Sequence, residues 1–121
     1  MDWKKPTTQL LGRFQPWHKG HTELFRRALQ KTGQVVILLR EQDGTDSNPF
    51  DIGQRTQQIV LALQKEGYYD GEDFTIIPVP NITHITYGRD VGYTIEQESL
   101  SDEIEKISAT KIREHMYDRF E

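Results

Sequence analysis

TTQLLGRFQPWHKGHTELFRRALQKTGQVVILL, residues 7–39, is the stretch from which the fold is read. Residues 7–14 form a strand pattern whose apolar centre, Leu10 and Leu11, runs into Gly12. A tight turn follows through Pro16, Trp17, His18, Lys19 and Gly20. Leu24, Phe25, Ala28 and Leu29 then recur on one face at helical spacing, and Gly33 stands where a helix ends. Residues 34–39 (QVVILL) are a β-branched apolar run of the kind found in a strand covered on both faces, as parallel sheets require.

Working outward, residues 40–48 are polar, contain Asp43-Gly44 and read as a loop. Helical spacing resumes over residues 51–67 through Ile52, Ile59, Val60 and Leu63; Asp51 with Gln54 is a capping-box signature, and Gly67 is a stop. Residues 74–78 (FTIIP) are a third strand. The order β-α-β-α-β, with right-handed crossovers, predicts an α/β fold: a Rossmann-like single domain over residues 1–121, with a parallel sheet and helices on both faces. A fourth strand is expected at residues 92–97. A final helix is expected with Ile104, Ile107, Ile112 and Met116 on one face, restarting at Ser108.

The chain of 121 residues is long enough for one core and too short for two. It has no cysteine, which excludes a disulfide framework, thiolate catalysis and Cys-ligated zinc. No run of about 18 apolar residues and no secretory leader appear, so no membrane partner and a cytoplasmic location are expected. The net charge of -4 gives no field for gathering nucleic acid, so none is expected as a partner, and a phosphate ligand must be held by a local cluster.

Two such clusters stand out. The first, Gly12 to His21, lies where a parallel strand hands over to a helix, the place at which open α/β sheets bind ligands. Gly12 and Gly20 let the backbone come close to a ligand, the helix start offers unpaired N–H groups, and His18 and His21 can face one direction. Together they suit a polyphosphate, although the same residues also suit a shaped turn with surface histidines. The second cluster is Ser108, Thr110, Lys111 and Arg113 in the first turn of the last helix. Cations there oppose the macrodipole at about 0.3 to 1 kcal/mol each, which makes sense if an anion binds among them. A plainly capped helix with solvated cations is the other reading.

Taken as a pair, HxGH after the first strand and ISATKIR near the end resemble the HxGH-type nucleotidyltransferase superfamily. Gly12-Arg13-Phe14-Gln15-Pro16, then Asn48-Pro49-Phe50 with Gly53 and Arg55, then Ile77 to Ile82, then Ile107 to Arg113 are most similar to archaeal-type nicotinamide mononucleotide adenylyltransferases. The resemblance implies transfer of a nucleoside monophosphate, AMP from ATP, to the phosphate of an acceptor such as nicotinamide mononucleotide, giving NAD and pyrophosphate. A phosphate nucleophile is already anionic at pH 7, so positioning and charge stabilisation suffice and no general base is needed.

Carried over by that resemblance, His18, His21 and Arg55 are the catalytic candidates: the histidines contact the NTP phosphates and Arg55 reaches a phosphate from the second helix. Arg13, Phe14, Ser108, Thr110 and Arg113 bind the nucleotide. Mg²⁺ enters mainly on NTP oxygens and water, with no protein metal ligand implied. Homo-oligomerisation is also implied. Between Pro80 and Ile107 the chain is shorter than the family pattern, and neither Trp3 nor Trp17 falls where the family places a tryptophan. His84, Tyr87 and Arg89 are therefore the candidates for acceptor recognition, with a solvated loop as the alternative. Trp17 reads as a cover over its loop, with stacking on a base as the alternative. Two other functions stay open: a cytidylyltransferase acting on a phosphorylated alcohol or sugar, and a nucleotide-binding module without turnover.

Overall fold

The computed structural model describes residues 1–41, 48–89 and 92–98. Along the chain run β1 (Thr8–Gly12), α1 (Lys19–Thr32), β2 (Val35–Arg40), α2 (Ile52–Lys65) and β3 (Phe74–Val79). The strands pair in parallel in the order β1-β2-β3, with Leu10 beside Ile37 and Ile37 beside Ile76. This is the expected β-α-β-α-β order and the expected Rossmann-like α/β class.

Each crossover steps one strand in the same direction, and right-handed connections then set α1 and α2 on the same side of the sheet, which differs from the expected helices on both faces. The core reflects this. Leu10, Val35, Ile37, Leu39 and Phe74 form one cluster with Phe25 and Ala28 of α1 and Ile59 and Leu63 of α2. Full burial of a side chain of this size contributes about 1.5–3 kcal/mol, so this face holds the fold together. On the other face Val36, Leu38 and Arg40 are only half-buried, so β2 alternates among the described residues rather than being covered equally on both sides. The helix expected through Ile104, Ile107, Ile112 and Met116 lies outside the described residues.

Local chemistry explains the helix ends. Gly33 at φ +86° closes α1 in a conformation that favours glycine, and its N–H donates to the Leu29 carbonyl at 2.7 Å. Asp51 caps α2 by accepting from the Gln54 N–H at 2.7 Å, while Gln54 Oε1 accepts from the Asp51 N–H at 3.0 Å.

Two boundaries differ from expectation. Arg40 belongs to β2 rather than to the loop, because its register with Val79 continues the ladder. Residues 92–97 form no strand: Tyr93 and Ile95 are each 66% exposed, and the segment is held by charge instead. Glu96 meets Lys31 at 2.7 Å, and Glu98 pairs with both Lys31 and Arg27, so acidic residues two apart find cations one turn apart on α1.

Candidate active site

The β1–α1 connection begins at Gly12, whose missing side chain is replaced by a neighbour. A Cβ there would lie 2.9 Å from Cζ of Phe14. Gly12 thus makes room for the Phe14 ring, a packing role beyond the one drawn from its position. Phe14 itself has φ +51°, a left-handed backbone that a bulky residue rarely adopts and that its surroundings must impose. Its ring sits 5.0 Å from Trp17 and 5.0 Å from His21, edge-on to the latter. Trp17 is buried and its Nε1 donates to Thr22 Oγ1 at 2.9 Å, so it is the cover that the sequence indicates.

On this platform stand the two histidines. His18 is the N-cap of α1, and its Nδ1 accepts the N–H of Gly20 at 3.0 Å. The N–H of His18 in turn donates to Nδ1 of His21 at 3.1 Å, a capping box built from two imidazoles. The rings stack with centroids 3.8 Å apart. Because each Nδ1 accepts a backbone N–H, each neutral ring carries its proton on Nε2. Burial pushes the His21 pKa down to about 3, with a further push from neighbouring His18, and burial lowers that of His18 as well. The pair is therefore neutral at pH 7 and offers two Nε2–H donors at the positive end of α1, a combination that suits phosphate oxygens.

A cross-brace fixes the loop below them. Gln15, fully buried, grips Phe50 at both backbone groups: its Nε2 donates to the carbonyl at 2.8 Å, and its Oε1 accepts the N–H at 2.9 Å. Arg13 Nη1 donates to Oδ1 of buried Asn48 at 3.2 Å. Arg55 is fully buried; its Nη1 donates to the carbonyls of Arg13 at 2.8 Å and Arg40 at 2.7 Å, and its Nε to that of Asp51 at 3.3 Å. The sequence led to a phosphate contact for Arg55; in this structure its Nη1 and Nε serve main-chain oxygens just after β1, at the end of β2 and at the start of α2.

The structure thus brings together Arg13, Phe14, His18 and His21, with Arg55 beneath them. His84, Tyr87 and Arg89 lie in an exposed stretch after β3, where His84 Nδ1 shares a hydrogen bond with Thr83 Oγ1 at 2.7 Å. No described contact joins them to the histidines. Ser108, Thr110 and Arg113 lie outside the described residues. Sequence reading passed over the bracing role of Gln15 and the end-of-strand position of Arg40. Gln15 left no periodic signal, since its partner is 35 residues away.

Among the described residues no helix is long and apolar enough to cross a membrane. Comparison with known proteins places this geometry. Residues 10–100 match the family described as cytidylyltransferase-like. The nicotinamide-nucleotide adenylyltransferase of Thermoplasma acidophilum is 33% identical over 81 residues, covering 65% of this chain and 44% of that protein. That of Ignicoccus hospitalis is 40% identical over 73 residues, covering 59% and 42%. The chain therefore spans less than half the length of these curated relatives. Among solved structures, a bifunctional NMN adenylyltransferase/ADP ribose pyrophosphatase from Francisella tularensis, complexed with AMP and a Mn ion, has a TM-score of 0.57 at 33% identity. The match covers 63% of this chain and 23% of that one. With three quarters of its length matched and the histidine pair seated where a parallel strand meets a helix, the chain belongs to the cytidylyltransferase-like family.

Proposed function

We propose that this protein transfers AMP from ATP to nicotinamide mononucleotide, forming NAD and pyrophosphate. The observation that carries the reading is the pair of neutral, stacked histidines at the start of α1, each with Nδ1 occupied by a backbone N–H and Nε2–H left to donate. The names of the relatives supply the acceptor.

In this reading the NTP phosphates lie over the N-terminus of α1, between the histidines and the hydroxyls and cation of Ser108, Thr110 and Arg113. An oxygen of the acceptor phosphate attacks the α-phosphorus. The new P–O bond forms as the bond from the α-phosphorus to the bridging oxygen breaks, and pyrophosphate leaves with that electron pair. No proton need be removed from the nucleophile. His21, the more buried ring, donates from Nε2 to the oxygens on which charge develops, and its neutrality means that it does so without giving up a proton. Arg13 lies beside the triphosphate.

A divalent cation neutralises charge on the triphosphate when bound. In this reading the ion is carried mainly by phosphate oxygens and water, as such ions commonly are. Mg²⁺ is the proposed ion.

The test is mass-spectrometric product detection after incubation with Mg²⁺, ATP or CTP, and a panel of nicotinamide mononucleotide, nicotinate mononucleotide, phosphopantetheine, phosphocholine and sugar phosphates. NAD with an equal amount of pyrophosphate is the expected product. A CTP-derived adduct would replace this reading with that of a cytidylyltransferase. NTP binding without any adduct would replace it with a nucleotide-binding module.

A further inference from the structure

The side chain that no role above absorbs is Arg40. It is the last residue of β2, the central strand, and so stands at the carboxyl end of the sheet where open α/β folds take their ligands. Its carbonyl lies 2.7 Å from Nη1 of Arg55, the same nitrogen that holds the Arg13 carbonyl at 2.8 Å. Two arginine backbones are thereby pinned to one atom of a third arginine.

The guanidinium of Arg40 is held but not saturated. Nη2 donates to Oδ1 of Asn81, in the segment after β3, at 2.8 Å. Nε is buried and has no hydrogen-bond partner among the described residues. A guanidinium carries five donors in a fixed fork that matches phosphate, and leaving a buried one unused is unfavourable. Strand alternation then fixes the side: Arg40 projects from the face of Val36 and Leu38, opposite the Leu39 face on which α1 and its histidines sit. It is at the same end of the sheet as the histidine pair but approaches from the other face, which suits the second reactant and not the triphosphate.

We infer that Arg40, steadied by Asn81, binds the phosphate group of the acceptor. The identity of the acceptor rests on the adenylyl-transfer reading; the phosphate chemistry of the subsite does not. One nitrogen of the guanidinium fork stays on Asn81 while others take the phosphate monoester, and Asn81 keeps the fork from turning away.

Titration of nicotinamide mononucleotide into the full chain by calorimetry tests this, with wild type, Arg40→Ala, Arg40→Lys and Asn81→Ala compared, and nicotinamide riboside, which lacks the phosphate, as control. Arg40→Ala is expected to weaken binding of the mononucleotide by about tenfold or more, as for loss of a hydrogen bond to a charged group. Arg40→Lys should fall between, and Asn81→Ala should lose severalfold. Riboside binding and ATP-analogue binding should stay unchanged. Unchanged mononucleotide affinity in Arg40→Ala, an equal loss for the riboside, or a parallel loss of ATP-analogue affinity would each overturn the inference, as would a wild type that binds no mononucleotide. Should Arg40→Ala fail to fold, exposed Asn81→Ala decides by the same readings. Arg40-dependent binding without NAD formation would leave the subsite standing and remove the reaction; NAD formation with an unchanged mononucleotide KM in Arg40→Ala would do the reverse.

Discussion

Nδ1 of His21 accepts the backbone N–H of His18 at 3.1 Å, so one contact both caps α1 and fixes which ring nitrogen faces outward. A residue usually chosen for helix capping is a short hydroxyl or carboxylate. Imidazole performs the same local task and leaves a second, oriented donor. The sequence HKGH is therefore legible twice, as a helix start, which the structure shows, and as a phosphate site, which the same geometry suits.

The pH dependence of stability follows from the sign of the histidine shifts. His21 is lowered to about 3 in the folded chain, against 6.5 in the unfolded one, and His18 is lowered too. Between about 3 and 6.5 the unfolded chain therefore holds more protons, and stability falls as pH drops through this window. Above 6.5 these residues contribute no pH dependence. Urea midpoints measured from pH 8 to pH 4 should be level to about 6.5 and then decline, and His21→Gln should flatten the decline. A midpoint that rises on acidification would contradict the assignment.

Gly12→Ala tests the packing of the loop. The added methyl would meet Phe14 Cζ at 2.9 Å, and the ring can yield only by moving off Trp17 and His21. Overpacking of this kind costs about 1–3 kcal/mol. A lowered Tm with a shifted Trp17 fluorescence maximum is the expected result.

Arg55→Met should act on stability before it acts on nucleotide affinity. It removes the fully buried donor from the carbonyls of Arg13 and Arg40, whereas the Asp51 carbonyl keeps the Arg55 N–H at 3.0 Å, and each acceptor left unmatched costs about 1–3 kcal/mol. Denaturant unfolding should show a loss of several kcal/mol. Full stability with selectively lost ATP binding would instead restore a phosphate contact for this residue.

Thr22→Val examines the cover over the site. It leaves Trp17 Nε1 buried without its 2.9 Å acceptor while preserving side-chain shape, at a cost of about 1–3 kcal/mol. Thermal unfolding should register the loss.

How far the sequence carried the fold depended on the range of the signal. The QVVILL run, Gly33 after α1, and Asp51 with Gln54 at the start of α2 are local patterns, and each element appears where its pattern lies. Residues 92–97 have an alternation that suits a strand, yet Tyr93 and Ile95 are exposed and Glu96 and Glu98 are drawn to α1 by Lys31 and Arg27. Alternation cannot distinguish those outcomes, because pairing is a property of the partner. Arg55 and Gln15 fall within the motifs, but their bracing roles were illegible for a related reason: a buried guanidinium bonded to carbonyls and an amide gripping a distant backbone leave no local pattern that tells bracing from binding.

The central claim is that His21 donates a hydrogen bond to the reacting phosphates while remaining neutral. His21→Gln isolates it, since glutamine at the third helical position can still accept the His18 N–H and keep the capping box closed. Initial rates of NAD and pyrophosphate formation, measured beside ATP-analogue affinity, should show turnover reduced by on the order of 100-fold with a modest change in binding, the usual effect of removing an aimed donor. Wild-type turnover in a folded His21→Gln variant, or binding and turnover lost to the same extent, would contradict the account.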